Sequence, residues 1–137
     1  MPRVSVITQK TFIPSVAPSE VYDAFVNAKT HARFTGAAAS GVARVGAKFT
    51  AWDGYIQGTY RTLIKGKKIV QDWVTTEWPA GMPASRVEFT FASAKGGTQV
   101  RMVHSRVPAS QAAQYRQGWL DYYWTPLKAY FSGRQED

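Results

Sequence analysis

Hydrophobic and polar positions repeat with two different periods along the chain, and the changes of period mark its elements. Residues 3–13 alternate (Val4, Val6 and Thr8 against Ser5 and Ile7) and are rich in β-branched side chains, which predicts a first strand ended by Pro14. Pro18 stands where a first helical residue is expected, and Val21, Tyr22 and Phe25 recur at helical spacing through Val26. Residues 29–34 predict a second short helix. From Gly36 the period returns to two. Weakly patterned residues 37–44 are followed by strands over 48–52 and 55–64, which flank the hairpin signal Asp53-Gly54. A turn at 65–68 leads to a strand over 69–77 that carries Trp73, and Pro79 and Pro83 break the loop 78–83. Residues 86–92 alternate cleanly, with Val87, Phe89 and Phe91 on one face. Gly96-Gly97 turns the chain into a last strand over 98–107.

The final periodic stretch, residues 110–131, is helical and unusually apolar. Tyr115, Trp119, Tyr122, Tyr123, Pro126 and Tyr130 share one side, and Leu120, Trp124, Leu127 and Phe131 continue it. The apolar arc spans roughly 200°, against the ~100° stripe of an ordinary surface helix. Such a helix must be gripped on more than one side. Pro126 lacks a backbone donor and should bend it near Tyr122. The expected architecture is therefore α+β: a curved antiparallel sheet of six to seven strands wrapped around a long C-terminal helix, with two short helices after strand one. Residues 1–137 read as one domain, and 133–137 as a frayed tail. Apolar surface left over near Leu120, Trp124 and Phe131 offers a homodimer contact.

Composition narrows the chemistry. The chain has 137 residues, 45% of them hydrophobic and 14% aromatic, too apolar for a disordered segment. With no cysteine it can hold no disulfide or thiolate-ligated metal. Its start lacks an apolar signal core and no apolar run reaches membrane-spanning length, so a cytoplasmic protein without membrane insertion is expected. The net charge is +8, but the 17 Lys and Arg are scattered. The one tight group, Lys65, Lys67 and Lys68, has no interleaved aromatics. No nucleic-acid partner is expected; an acidic protein partner suits the field better.

Two histidines, His31 and His104, and no carboxylate-rich loop leave no grounds for a metal site, and no cofactor motif occurs. His104 shares a strand face with Val100 and Met102, so it should face the helix, either lining a ligand cavity or hydrogen-bonded near the sheet rim. His31 is expected on the surface. The aromatic surplus is either plain core or the wall of a cavity, because large rings fill a small volume badly and buried tyrosine hydroxyls need partners.

Several stretches carry a family resemblance. Pro18-Ser19-Glu20-Val21-Tyr22-Asp23-Ala24-Phe25, Gly54-Tyr55-Ile56-Gln57-Gly58, Lys68-Ile69-Val70 with Trp73, Trp78-Pro79-Ala80-Gly81 and Gly118-Trp119-Leu120-Asp121-Tyr122-Tyr123 followed by Lys128 resemble the C-terminal domain of the activator of heat-shock protein 90 ATPase. The resemblance covers about residues 10–131. It implies the START-like, birch-pollen-allergen-like helix-grip fold, whose wider superfamily binds lipids, hormones and polyketides.

The leading expectation is a non-enzymatic protein that holds a small apolar molecule or lipid between sheet and helix. Its proposed lining is Phe49, Trp73, Phe89, Phe91, Met102, His104, Trp119 and Tyr123. One alternative is a co-chaperone-like partner of a heat-shock protein 90 homologue. Another is a small cyclase or hydrolase using His104 in the same cavity.

Overall fold

A computed structural model describes residues 3–134. The elements run β1 (Val4–Pro14), α1 (Pro18–Val26), α2 (Ala28–Thr35), β2 (Ser40–Gly41), β3 (Lys48–Ala51), β4 (Ile56–Ile64), β5 (Lys68–Thr75), β6 (Ser85–Ala94) and β7 (Gly97–Pro108). A short 3-10 turn, Ala109–Gln111, leads into α3 (Ala112–Trp119), a π-helical segment (Leu120–Trp124) and α4 (Thr125–Arg134).

The strands form one antiparallel sheet in the order β1-β7-β6-β5-β4-β3-β2. After β1 the chain is a simple meander, and β1 itself pairs with the last strand. Bulges between Ser5 and Ile7 and between Tyr60 and Thr62 add local twist, and the sheet curls over the helices. The period-two pattern of β6 and β7 is realised: Val87, Phe89, Phe91, Val100, Met102 and His104 all point into the concave side and are buried. Gly58 is required by a close approach. A Cβ there would lie 2.1 Å from the Asp72 carbonyl and 2.5 Å from the Phe49 ring, which stacks on Tyr60.

Local signals explain the short helices. The Glu20 carboxylate accepts from the Ala17 amide ahead of Pro18, and Asn27 Oδ1 accepts from the Thr30 amide at 3.0 Å to start α2. Gly36, at φ 79°, ends it.

Three expectations need correction. Residues 37–44 form a strand only at Ser40 and Gly41, because a tight turn (Arg44 N–H to Val42 O, 2.9 Å) peels the chain off the sheet. The hairpin loop has four residues, 52–55, rather than two. Trp52 and Asp53 have φ 53° and 58°, and Asp53 is held by its carboxylate and its amide to Ala38 (2.8 and 3.0 Å). Near Tyr122, where Pro126 was expected to act, the helix changes its hydrogen-bonding pattern. The ladder widens ahead of the proline, with the Thr125 amide reaching back five residues to the Leu120 carbonyl. Finally, Gly133 and Arg134 continue α4, and the remainder of the expected frayed tail lies outside the described residues.

Gln9 of β1 fastens this interrupted helix. Its carboxamide donates to the Arg116 carbonyl (3.0 Å) and accepts from the Trp124 indole (2.7 Å). The Leu120 amide bonds to Gln117 instead of Arg116, which leaves the Arg116 carbonyl turned toward the sheet.

Candidate functional site

The inner face of α3 and the π segment meets β5, β6 and β7 across a cluster of rings. Trp119 is its centre, 4.8 Å from Tyr123, 5.7 Å from Trp73 and 5.7 Å from Phe89 between ring centroids. His104 lies beneath it, fully buried. The Trp119 indole can only donate, so His104 Nδ1, 3.1 Å away, accepts and carries no proton. The proton is on Nε2, which donates to Ser85 Oγ at 2.8 Å, and that hydroxyl donates to the Trp73 carbonyl at 2.7 Å. Burial pushes the His104 pKa down to about 3. Both nitrogens are engaged, and no carboxylate or tyrosine hydroxyl bonds to the ring among the described residues. The chain of donors locks Trp119 and offers no proton-transfer group to a substrate.

Beside Trp119 opens a cavity of 530 Å³, lined by Trp52, Tyr55, Ile56, Trp73, Gln114, Tyr115, Gly118, Trp119, Tyr122 and Tyr123. Seven of these ten are aromatic and none is charged. Trp52 reaches the wall because its left-handed backbone throws the indole toward Tyr122 (5.2 Å, edge-on). Gly118 leaves the helix side open: a Cβ there would meet only Tyr122, at 3.8 Å. Exposed Gln114 and Tyr122 form the rim.

A polar network closes one end. The Tyr55 hydroxyl donates to Glu77, whose same oxygen accepts from Gln114 Nε2 at 2.9 Å. These two bonds hold the Glu77 carboxyl below its usual range. Tyr115 donates to Gln111 (2.6 Å), so the Thr75 hydroxyl donates to Tyr115 (2.7 Å). Burial, followed by the bond to Glu77, raises Tyr55.

On the far side of Trp119 and Tyr123 lies a second, small space of 20 Å³, with room for about one water and bordered on its outer side by Ala39 and Ser40. Its lining includes Phe49, Phe89, Tyr60, Gln71 and His31. The surface position expected for His31 is overturned, since the residue is only 6% exposed. α2 turns its His31 and Phe34 face onto Tyr123, 5.4 Å from the imidazole. Burial lowers the His31 pKa to about 4, and Nδ1 has no partner among the described residues. Burial likewise raises Tyr60 to about 12 and Tyr123 further still.

The eight residues expected to line one cavity are therefore distributed. Trp73, Trp119 and Tyr123 line the large cavity, while Phe49, Phe89, Trp119 and Tyr123 line the small one. Phe91, Met102 and His104 are packed in the concave core and border neither of these spaces. The expected lining missed Trp52, Tyr55, Ile56, Gln114, Tyr115, Gly118 and Tyr122, although the helical pattern places Tyr115 and Tyr122 on the apolar side of the helix. Trp52 and Tyr55 carried a signal through their place beside the predicted turn at Asp53-Gly54, and Tyr115 and Tyr122 through the apolar helix face. The surplus expected at Leu120, Trp124 and Phe131 also shrinks. Trp124 and Phe131 are buried by the sheet and α1, while Leu120 (43%) and Tyr122 (56%) stay exposed. No group of three or more His, Asp or Glu side chains that could hold a metal ion occurs among the described residues. No helix among them is long and apolar enough to cross a membrane.

The family model described as "Activator of Hsp90 ATPase homolog 1-like protein" matches residues 15–132. A curated relative, the activator of 90 kDa heat shock protein ATPase homolog 1 of Homo sapiens, is 33% identical over 131 residues. That match covers 96% of this chain but 38% of the human protein, so the chain spans well under half the length of that relative. The crystal structure of an Hsp90 activator from Plasmodium falciparum superposes with a TM-score of 0.81 at 26% identity, covering 94% of this chain and 96% of that one. The solution structure of an Aha1 dimer from Colwellia psychrerythraea gives 0.73 at 18% identity, covering 86% and 90%, a likeness of fold.

Proposed function

Because this chain belongs to the family of activator of Hsp90 ATPase homolog 1-like proteins, we propose that it is a non-enzymatic, single-domain cytoplasmic binding module whose aromatic cavity holds a small apolar molecule. The observation that carries this reading is the 530 Å³ cavity walled by seven aromatic rings and no charge. Its size falls within the range of small-molecule sites, roughly 300–1,000 Å³. Binding would be driven by desolvation of a flat apolar surface against Trp52, Trp73 and Trp119. The hydroxyls of Tyr55 and Tyr115 and the amide of Gln114, at the end closed by the polar network, would orient it.

Gly118→Leu tests the reading. The new side chain fills the cavity from the helix side, while loss of a mid-helix glycine favours the helix by up to about 1 kcal/mol. Pyrene should quench the tryptophan fluorescence of the wild-type protein and bind at least about tenfold more weakly to the variant. Equal quenching of both proteins would place pyrene elsewhere and remove the cavity from the account. Native mass spectrometry of the protein as purified supplies an independent check for a retained molecule.

A second reading is supported by one observation: the Plasmodium falciparum protein described as an Hsp90 activator matches this chain almost end to end. On that reading the chain docks on a heat-shock protein 90 homologue through its basic surface, with Lys65 and Lys67 exposed on the β4–β5 turn. The exposed Leu120 and Tyr122 would be available for self-association. The two readings use different faces and are compatible.

A further inference from the structure

We propose that the large and small spaces on either side of Trp119 and Tyr123 form one site, and that its occupant is an uncharged, flat molecule carrying a hydroxyl group that hydrogen-bonds His31 Nδ1 at the inner end. This rests on the proposed cavity reading and adds the chemical class of the ligand. Three observations lead to it.

Trp119 and Tyr123 line both spaces, so together they form a shared wall, and entry of the ligand requires the Tyr123 ring to turn aside. Because ring surface dominates the outer chamber, the inner nook has the larger polar share of the two. It presents His31, Tyr60 and Gln71, and its 20 Å³ admits a group about the size of one water. A hydroxyl has that size. His31 is also the unusual member of the histidine pair. His104, equally buried, has both nitrogens bonded, whereas His31 keeps a ring nitrogen without a partner among the described residues. A buried polar atom left in that condition is destabilising, and a ligand hydroxyl relieves it.

The charge of the ligand follows from the walls. No Lys, Arg, Asp or Glu lines either space, although the chain carries 17 basic residues. A carboxylate brought inside would lose its water and gain no counter-charge. An ammonium would meet ring faces in the outer chamber but no anion in the nook. His31 itself is neutral near pH 7, since burial lowers its proton affinity. A neutral imidazole offers one acceptor or one donor, and a hydroxyl complements either.

The probes are pyrene, 1-hydroxypyrene, 1-pyrenecarboxylate and 1-pyrenemethylammonium, titrated at pH 7 and followed by tryptophan quenching. In the wild-type protein 1-hydroxypyrene should bind about tenfold more tightly than pyrene, and the two charged derivatives at least tenfold more weakly than 1-hydroxypyrene. His31→Phe, which keeps an aromatic ring of similar size, should erase the difference between 1-hydroxypyrene and pyrene. The imidazole nitrogen spectrum of the wild-type protein gives a second readout that needs no variant. With only two histidines in the chain, 1-hydroxypyrene should shift the His31 signals and leave those of His104 in place. If pyrene binds but its hydroxyl brings no gain, or the His31 signals stay put, the inference is wrong while the cavity reading stands. If pyrene itself does not bind, both fall.

Discussion

Burial depresses the proton affinity of both histidines, from about 6.5 in an unfolded chain to about 4 for His31 and about 3 for His104. Below pH 6.5 the unfolded chain therefore binds more protons than the folded one. The stability tied to these neutral rings is fully present above 6.5 and is lost as the pH falls toward 4. The slope approaches about 1.4 kcal/mol per pH unit for each histidine, so urea unfolding at pH 5 should report a stability on the order of 2 kcal/mol per histidine below that at pH 7. His31→Phe should remove one of the two contributions. A flat profile between pH 7 and 5 would mean that the rings take up protons without unfolding. The sequence made His104 legible, because strand alternation with Val100 and Met102 fixes its facing whatever the tertiary detail. His31 was not legible as a lone histidine on a polar helix. Its neighbour three residues on, Phe34, was the signal: a buried ring at that spacing brings residue 31 to the same face.

At the scale of elements, alternation and turn chemistry located the strands over most of their length, since period two and glycine or proline breaks are local properties. What sequence could not locate was the cavity, because its wall depends on how the 52–55 loop and the helix meet. The helix itself was read as uniformly α-helical with a bend. The observed widening over Leu120–Trp124 changes which residues face inward: Tyr123 and Trp124 are buried together, and Leu120 is turned out. A helical wheel of constant pitch has no means of anticipating that change. Gln9 is the element-scale clasp, bridging the Arg116 carbonyl and the Trp124 indole from β1. Gln9→Leu should lower stability by about 1–2 kcal/mol, chiefly by leaving the part-buried Trp124 indole without a partner, since the Arg116 carbonyl lies at the exposed end of the clasp. Amide exchange should accelerate selectively at residues 116–124. Unchanged melting and exchange would show that apolar packing alone seats the helix.

For the molecule as a whole, the family resemblance and the helix-grip architecture expected from it both hold: a seven-stranded antiparallel sheet curves around the C-terminal helix, with two short helices after β1. The net charge of +8 belongs to this scale too. If the chain docks on a heat-shock protein 90 homologue through that field, capture of the homologue should weaken steeply as salt rises toward 0.15 M and beyond, where screening shortens to about 8 Å. Charge reversal at Lys65 and Lys67 should weaken it further. Lys68 is a poorer choice for that experiment, since it pairs with Glu88 at 3.7 Å. No capture even at low ionic strength would remove the chaperone reading. The pairing of β1 with β7 has a consequence for biosynthesis. β1 leaves the ribosome first, yet its partner is β7, so Pro14 waits for Gly97 and Val4 for Pro108. Until β7 has emerged, a β-branched strand bearing Val4, Val6 and Phe12 has both hydrogen-bonding edges open rather than the one it keeps in the finished sheet. An unfinished polypeptide of this kind is expected to be prone to mispairing through that strand.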